Sequence, residues 1–497
     1  MTDIAESVSY EPDDPWAGMV DEAGFPLELE IEPAAEVAAE AVAGGQGIDR
    51  MRMAKLPEEF WGARDLFKQV WCAAKAEGAA PDAVLGVVLA RASAMVSHEL
   101  TFNSGKPGNL NMFVNIVAPS GVGKSEAMRS GRQLTAIPAY LCDRYGEINR
   151  DRYRESSLGS GEGIAEIYMG TKEVETGEVV RSGPGKGEPK TKPVRMQVRN
   201  NAYLHLDEGE TLTKMLERRG ATVGTTIRSA WVGAGLGQAN AAETTTRDVP
   251  ERSYALGLVI GFQPFAAQQM LAEGGGGTPQ RFLWLSALDD EMAEAPSDPP
   301  PPYTLPLANE RGGPIRGVVA FPQEIKQALW DNLRFKTKNP GEIEELNSHE
   351  PLMRCKLAAL LCVLDGRMEV GPDDWRLAGM IWAVSCAVRD RLIEFGKQEK
   401  AKQRDAERER HAELAAAGEV ARMEVTERVA AYARTLAERV HKAAEEFEQL
   451  GRSEERRRIK SNLRREWDTG LEYAQARGWI KLSDDRVWIL PGDSAPS

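Results

Sequence analysis

Cysteine and histidine are scarce in this 497-residue chain, with five of each. Cys72, Cys142, Cys355, Cys362 and Cys386 are scattered, and no two form a Cys-x-x-Cys pair. This excludes a disulfide scaffold and reads as reduced thiols in a cytoplasmic protein. The histidines are equally dispersed, which argues against a zinc site. Long apolar runs are also missing. Ser253–Ala272 is the longest stretch without a charged residue, but Gln263, Pro264, Gln268 and Gln269 interrupt it, so no membrane helix is expected. The first residues have neither a basic region nor an apolar run, so no secretory signal is read there.

Positive charge is absent from residues 1–49, which hold thirteen Asp or Glu and no Lys or Arg. The whole chain carries −14, so the remainder is nearly neutral at −1. An acidic chain argues against a nucleic-acid partner, but here the acidity sits in one segment. Residues 1–49 read as a disordered acidic tail, either solubilising or able to cover a basic surface.

What is present falls into blocks. Residues 50–105 contain two helical patterns, one closed by Gly78 and one over Pro81–His98, expected to form a helical cap. Residues 106–294 alternate strands and helices. Strands are expected at Met112–Val117, Ala202–Leu206, Ala255–Phe262 and Arg281–Ser286, as in an α/β domain with a mainly parallel sheet. Residues 170–200 interrupt that pattern as a protruding hairpin or loop, and Glu273–Pro279 is a glycine-rich loop. The Pro-rich run 295–303 reads as a linker, 304–395 as an all-α subdomain and 396–419 as a charged helical connector. In 420–492, three helices precede a hairpin that turns at Asp484–Asp485, the order of a winged helix-turn-helix.

The strongest chemical signal is Ala118-Pro119-Ser120-Gly121-Val122-Gly123-Lys124-Ser125, set between an apolar strand and a helix that opens with Glu126. Glycines let successive N–H groups turn toward phosphate oxygens, and the helix adds its positive N-terminal end. Lys124 supplies an ammonium for the β and γ phosphates, and Ser125 a hydroxyl ligand for Mg²⁺. ATP and Mg²⁺ are therefore the expected ligands. The segment Asn201–Glu210 is an apolar strand ending in two acids. Asp207 suits the Mg²⁺ role, and Glu208 polarisation of the attacking water. Tyr254–Pro264 is another strand, ending at Gln263. In P-loop ATPases of the RecA and AAA classes a polar residue there contacts the γ-phosphate. Arg281 is a candidate arginine finger acting on a neighbouring subunit's nucleotide, with Arg247 and Arg252 as rivals.

Taken in order, the PSGVGKS and DE segments, GFQP, the glycine loop with QRFL, and RCKLAALLCVLDG resemble a family of RecA-like P-loop ATPases. These occur in phages, plasmids and integrative elements, often beside a primase-polymerase domain. The resemblance covers roughly residues 56–395. It implies a RecA-like core with Lys124, Ser125, Asp207 and Glu208 at the nucleotide and Arg281 as finger. It also implies a homo-oligomer, with a hexameric ring among the options, acting on single-stranded or forked DNA as a replicative helicase. The first 55 residues are too few for a primase-polymerase domain, so a separate primase or replication initiator is an expected partner.

The C-terminal basic run has Arg452, Arg456, Arg457, Arg458, Lys460, Arg464 and Arg465 against Glu454 and Glu455, suited to phosphate contact. DNA loops are expected from 170–200 and Gly233–Arg252, although neither offers an aromatic stacking platform. Two other classes compete with a motor. One is a P-loop switch or loader that assembles at an origin without unwinding. The other, a packaging motor, requires a nuclease carboxylate cluster that residues 303–497 do not display.

Overall fold

The computed structural model describes residues 53–496 except 180, 182–187, 219, 239–245, 273–275, 293–294, 340–344, 460–463 and 465, and gives backbone only for 416–425. The acidic segment 1–49, Lys460 and Arg465 therefore lie outside the described residues. The chain divides into two units, the first ending at Lys397 and the second starting at Gln398.

The first unit opens with α1 (Glu58–Gly62), α2 (Asp65–Glu77) and α3 (Pro81–Met95). Strands β1 (Leu100–Asn103), β2 (Pro107–Gly108) and β3 (Met112–Val117) lead to α4 (Lys124–Leu134). After β4 (Tyr153–Ser157) and α5 (Gly161–Glu166), β5 (Met169–Val179) and β6 (Pro189–Gln197) form an exposed antiparallel hairpin. Then come β7 (Asn201–Leu206), α6 (Gly209–Glu217), α7 (Val223–Val232) and a second hairpin, β8 (Leu236–Gln238) with β9 (Arg247–Val249). The unit is completed by β10 (Ala255–Phe262), α8 (Pro264–Ala272), β11 (Leu283–Ser286), β12 (Gly317–Ala320), α9 (Gln323–Lys338), α10 (Glu350–Leu364) and the start of α11 (Pro372–Glu445).

The main sheet has the order β11-β3-β10-β7-β4, and every pairing is parallel. Parallel strands need covering on both faces, so their sequences are continuously apolar. All positions of β3 and β10 are buried accordingly. This is a mixed α/β fold built on a parallel sheet.

Three expectations about domains are corrected. The N-terminal helices are not a peripheral cap: all fifteen residues of α3 are buried. A helix that is apolar on every side belongs in a core, and α3 lies across the sheet. Its one arginine, Arg91, is buried and neutralised by Glu155 of β4 at 2.7 Å, while Arg132 of α4 binds the same carboxylate at 2.8 Å. The Pro-rich run is not a domain boundary. Tyr303 exchanges backbone hydrogen bonds with Leu134 and Ala136, and Leu305 and Leu307 are buried just beyond it. Residues 304–395 are not a separate all-α subdomain either. β12 pairs in parallel with β1, and α10 is buried in the same core as α3.

The second unit contains the end of α11, then β13 (Leu450–Gly451), α12 (Arg452–Arg458), α13 (Trp467–Ala476), β14 (Ile480–Leu482) and β15 (Trp488–Pro491). The strands form an antiparallel sheet in the order β13-β15-β14. Its own core gathers Ala433, Leu436, Val440, Trp467, Leu471, Trp479 and Ile489. The expected connector has no break, because α11 runs on through 396–419.

Candidate functional site

In a parallel sheet all strand C-termini open on one edge, and the loops there can converge on one ligand. The glycine-rich loop follows β3, Asp207 and Glu208 follow β7, and Gln263 follows β10. Because β10 lies between β3 and β7, Gln263 is set between the loop and the acidic pair. The register keeps these three exits level. Phe262 pairs with Val117, Ile260 pairs with Leu206, and the Ala118 amide donates to the Phe262 carbonyl at 3.1 Å.

Local chemistry explains the loop. Gly121 and Gly123 have φ of +74° and +65°, the left-handed region that a side chain disfavours. Gly123 is also the residue before α4, and a Cβ there would lie 2.5 Å from the Ala287 carbonyl oxygen. The exit of β11 thus forms one wall of the loop, a contribution that sequence reading missed. Lys124 is half-buried, and its Nζ donates to the carbonyls of Ala118 at 2.8 Å and Pro119 at 2.5 Å. Burial lowers its pKa from the ordinary lysine value, opposed by the Glu126 carboxylate. Ser125 and Glu126 follow in the exposed first turn of α4.

The acidic pair is open to solvent, and Glu208 immediately precedes α6. Gly209 comes next because a Cβ there would meet the Phe262 ring at 2.2 Å. That close packing fixes the exits of β7 and β10 against each other. Gln263 is exposed, and its carbonyl accepts the Ala267 amide at 2.9 Å as α8 begins.

The structure does not bring Arg281 to this edge. Leu283 pairs with Val114, so Arg281 sits at the entry of β11, level with the start of β3. Its guanidinium turns inward over the Trp231 ring, 5.7 Å from the centroid, and donates to the Gly277 carbonyl. Arg247 pairs with Glu166 at 2.8 Å, and Arg252 with Glu251 at 3.2 Å. The side chains gathered at the P-loop edge are therefore Lys124, Ser125, Asp207, Glu208 and Gln263.

In the second unit three of the described arginines of the basic run have carboxylate partners nearby. Arg452 and Arg456 reach Asp468 at 3.5 and 3.9 Å, and Arg458 pairs with Glu454 and Glu455. Among the described residues no group of three or more His, Cys, Asp or Glu could hold a metal by itself, and no helix is long and apolar enough to cross a membrane.

No family model matches this chain, and no curated protein matches it. Among solved structures, it is similar at 11% identity to a protein of Cytophaga hutchinsonii described as a "putative ATPase". The match covers 64% of this chain and 86% of that one with a TM-score of 0.28, too distant a likeness to carry an argument.

Proposed function

We propose that this protein is an ATP-hydrolysing, DNA-dependent motor that works as a homo-oligomer, with a replicative helicase of a phage or mobile element as the specific role. One observation carries the hydrolytic part. An ammonium, a hydroxyl, two carboxylates and an amide converge at the exits of three adjacent strands, with the amide between the loop and the acids. That is the set phosphoryl transfer needs.

The donor set also fits Mg²⁺, since an ion that arrives with phosphate oxygens needs only one or two protein ligands. Ser125 and Asp207 would hold it. The bound ion would offset charge on the phosphates. Of residues Ala118 to Glu126, those from Ser120 onward wrap the phosphates with backbone N–H groups, since Pro119 has none and the Ala118 N–H is held by Phe262. Lys124 exchanges its two carbonyl partners for phosphate oxygens, Glu208 orients the attacking water, and Gln263 reads the γ-phosphate.

The second unit supports a DNA or replisome partner through its order of helices and strands, which is that of a winged helix. Its third helix, with Glu466 just before it, carries Asp468 and Glu472, an acidity that favours backbone contact over base reading. An origin-bound switch or loader is the second reading. Glu208 weighs against it, because a switch has little use for a water-polarising acid. The deciding experiment measures ATPase rate with and without single-stranded DNA, with oligomeric mass in parallel. Slow turnover unchanged by DNA would sink the motor.

A further inference from the structure

The strand-entry end of the main sheet, opposite the P-loop, holds two guanidinium groups that have no carboxylate partner among the described residues. Arg228 of α7 donates to Thr278 Oγ1 at 2.9 Å and to Thr225 Oγ1 at 3.1 Å. Arg281 donates to the Gly277 carbonyl, and its buried Nε has no hydrogen-bond partner among the described residues. The two forks flank consecutive glycines. A Cβ on Gly276 would lie 3.5 Å from Arg228 Nη1, and one on Gly277 would lie 2.8 Å from Arg281 Nη1.

The neighbourhood adds positive charge. Burial and then Arg228 push Arg281 down to about 10. His349, edge-on to Trp231, is pushed to about 4 by burial, Arg281 and Lys336, so it is neutral at pH 7. Glu350 is the carboxylate opposing Lys336, and it also pairs with Arg354 at 3.7 Å. Two half-buried forks that repel each other, one with an unpaired N–H, are an arrangement that an oxyanion would relieve.

The surroundings favour a chain of phosphates over a single anion. Hairpins β5–β6 and β8–β9 lead into β7 and β10, so their bases stand at this same end. They are fastened together by Glu166, which binds both Arg195 and Arg247. Across the β5–β6 ladder Lys172 faces Val194 and Val174 faces Lys192, so one face of the hairpin is lysine and valine. The opposite face has Glu173 and Glu175 across from Pro193 and Thr191.

We propose that Arg228 and Arg281 form a second phosphate site, which takes a phosphodiester of a single nucleic-acid strand running past the lysine face of the β5–β6 hairpin. This rests on the nucleic-acid-dependent reading above and assigns Arg281 to the track rather than to a neighbour's nucleotide.

The test uses the full chain and a labelled oligothymidylate of roughly thirty nucleotides, followed by anisotropy across a salt series. Arg228→Gln and Arg281→Gln should each weaken binding roughly tenfold and lower the salt slope by about one. If the wild type binds and both variants keep its affinity and slope, the site is wrong while the nucleic-acid reading stands. If the wild type itself does not bind, the reading beneath the proposal has failed. A second measurement needs no variant. Phenylglyoxal labelling of the wild type, read by mass spectrometry, should slow at Arg228 and Arg281 when oligothymidylate is bound. Unchanged labelling at both during demonstrated binding overturns the proposal.

Discussion

The amide of Ala118 donates to the carbonyl oxygen of Phe262 at 3.1 Å, so the first residue of the glycine-rich loop is fastened to the residue before Gln263. Through this bond a change at the end of β10 is transmitted to the loop without any side chain between them. Gln263→Ala leaves the bond intact and removes only the exposed amide. It should lower the rate of ATP hydrolysis about a hundredfold with little change in nucleotide affinity. Equal rates in steady-state assays would remove Gln263 from the site.

Lys124→Ala should abolish hydrolysis and leave the fold intact, because the ammonium's partners are two backbone carbonyls of its own loop, Ala118 and Pro119. Loss of turnover by at least about a hundredfold, with an unchanged circular dichroism spectrum, is the expected result. Glu208→Gln should behave differently. It keeps ATP affinity and loses turnover by about a thousandfold, since it removes only the water-orienting carboxylate. Loss of nucleotide binding instead would exchange the roles assigned to Asp207 and Glu208.

Gly123→Ala should be worse than Gly121→Ala. Both have positive φ, and each alanine costs about 1 kcal/mol in backbone conformation. Only Gly123 also faces a carbonyl oxygen 2.5 Å from the new Cβ, whereas nothing lies within 4 Å at Gly121. Urea denaturation should rank Gly121→Ala as the more stable, and nucleotide titration should show Gly123→Ala as the weaker binder.

Removing residues 1–49 changes the net charge from −14 to −1. Binding to single-stranded DNA should strengthen, and the gain should shrink as salt rises, since screened repulsion is its source. Identical low-salt affinities would leave the acidic segment a solubiliser.

Asp82, in the first turn of the buried helix α3, accepts the Leu56 amide at 2.9 Å. Burial raises its carboxyl to about 7, against the pull of that hydrogen bond and of Lys55. The folded state therefore holds a proton that the unfolded chain releases near pH 4. Its contribution to stability is complete below that pH and is lost as pH rises to about 7. Asp82→Asn should flatten this part of the stability profile and leave the variant the more stable of the two at pH 8. Parallel wild-type and variant urea profiles from pH 4 to 8 would contradict it.

The gathering of Lys124, Asp207, Glu208 and Gln263 at one sheet edge was legible because the signals are local. A glycine pattern after one apolar strand and two acids after another need no knowledge of what packs where. Met112–Val117 and Ala255–Phe262 were read to the residue, since β-branched runs between turn signals leave little choice. Arg281 shows the opposite case. Its sequence position, just past a glycine loop and before a strand, did not tell which end of the sheet it occupies, which the pairing of β11 with β3 decides. The role of α3 was missed for a different reason. Its apolar residues on every side, broken only by Asp82, Arg91 and Ser93, were the available sign of a central helix, and its place before the first strand of the main sheet suggested a cap instead. The Pro-rich run misled because proline composition reports backbone stiffness, not whether the flanking leucines reach a core.

The pairing of β1 with β12 has a consequence for synthesis. Leu100 and Gly317 are partners, yet roughly two hundred residues separate them. At about 5–20 residues per second, translation needs on the order of 10–40 s between them. For most of that interval β1 has its short neighbour β2 but lacks its other edge partner, while α3 and β3 have already been made. The nascent chain must therefore wait with an open sheet edge, and the time at which β12 emerges sets the earliest moment at which the first unit can close.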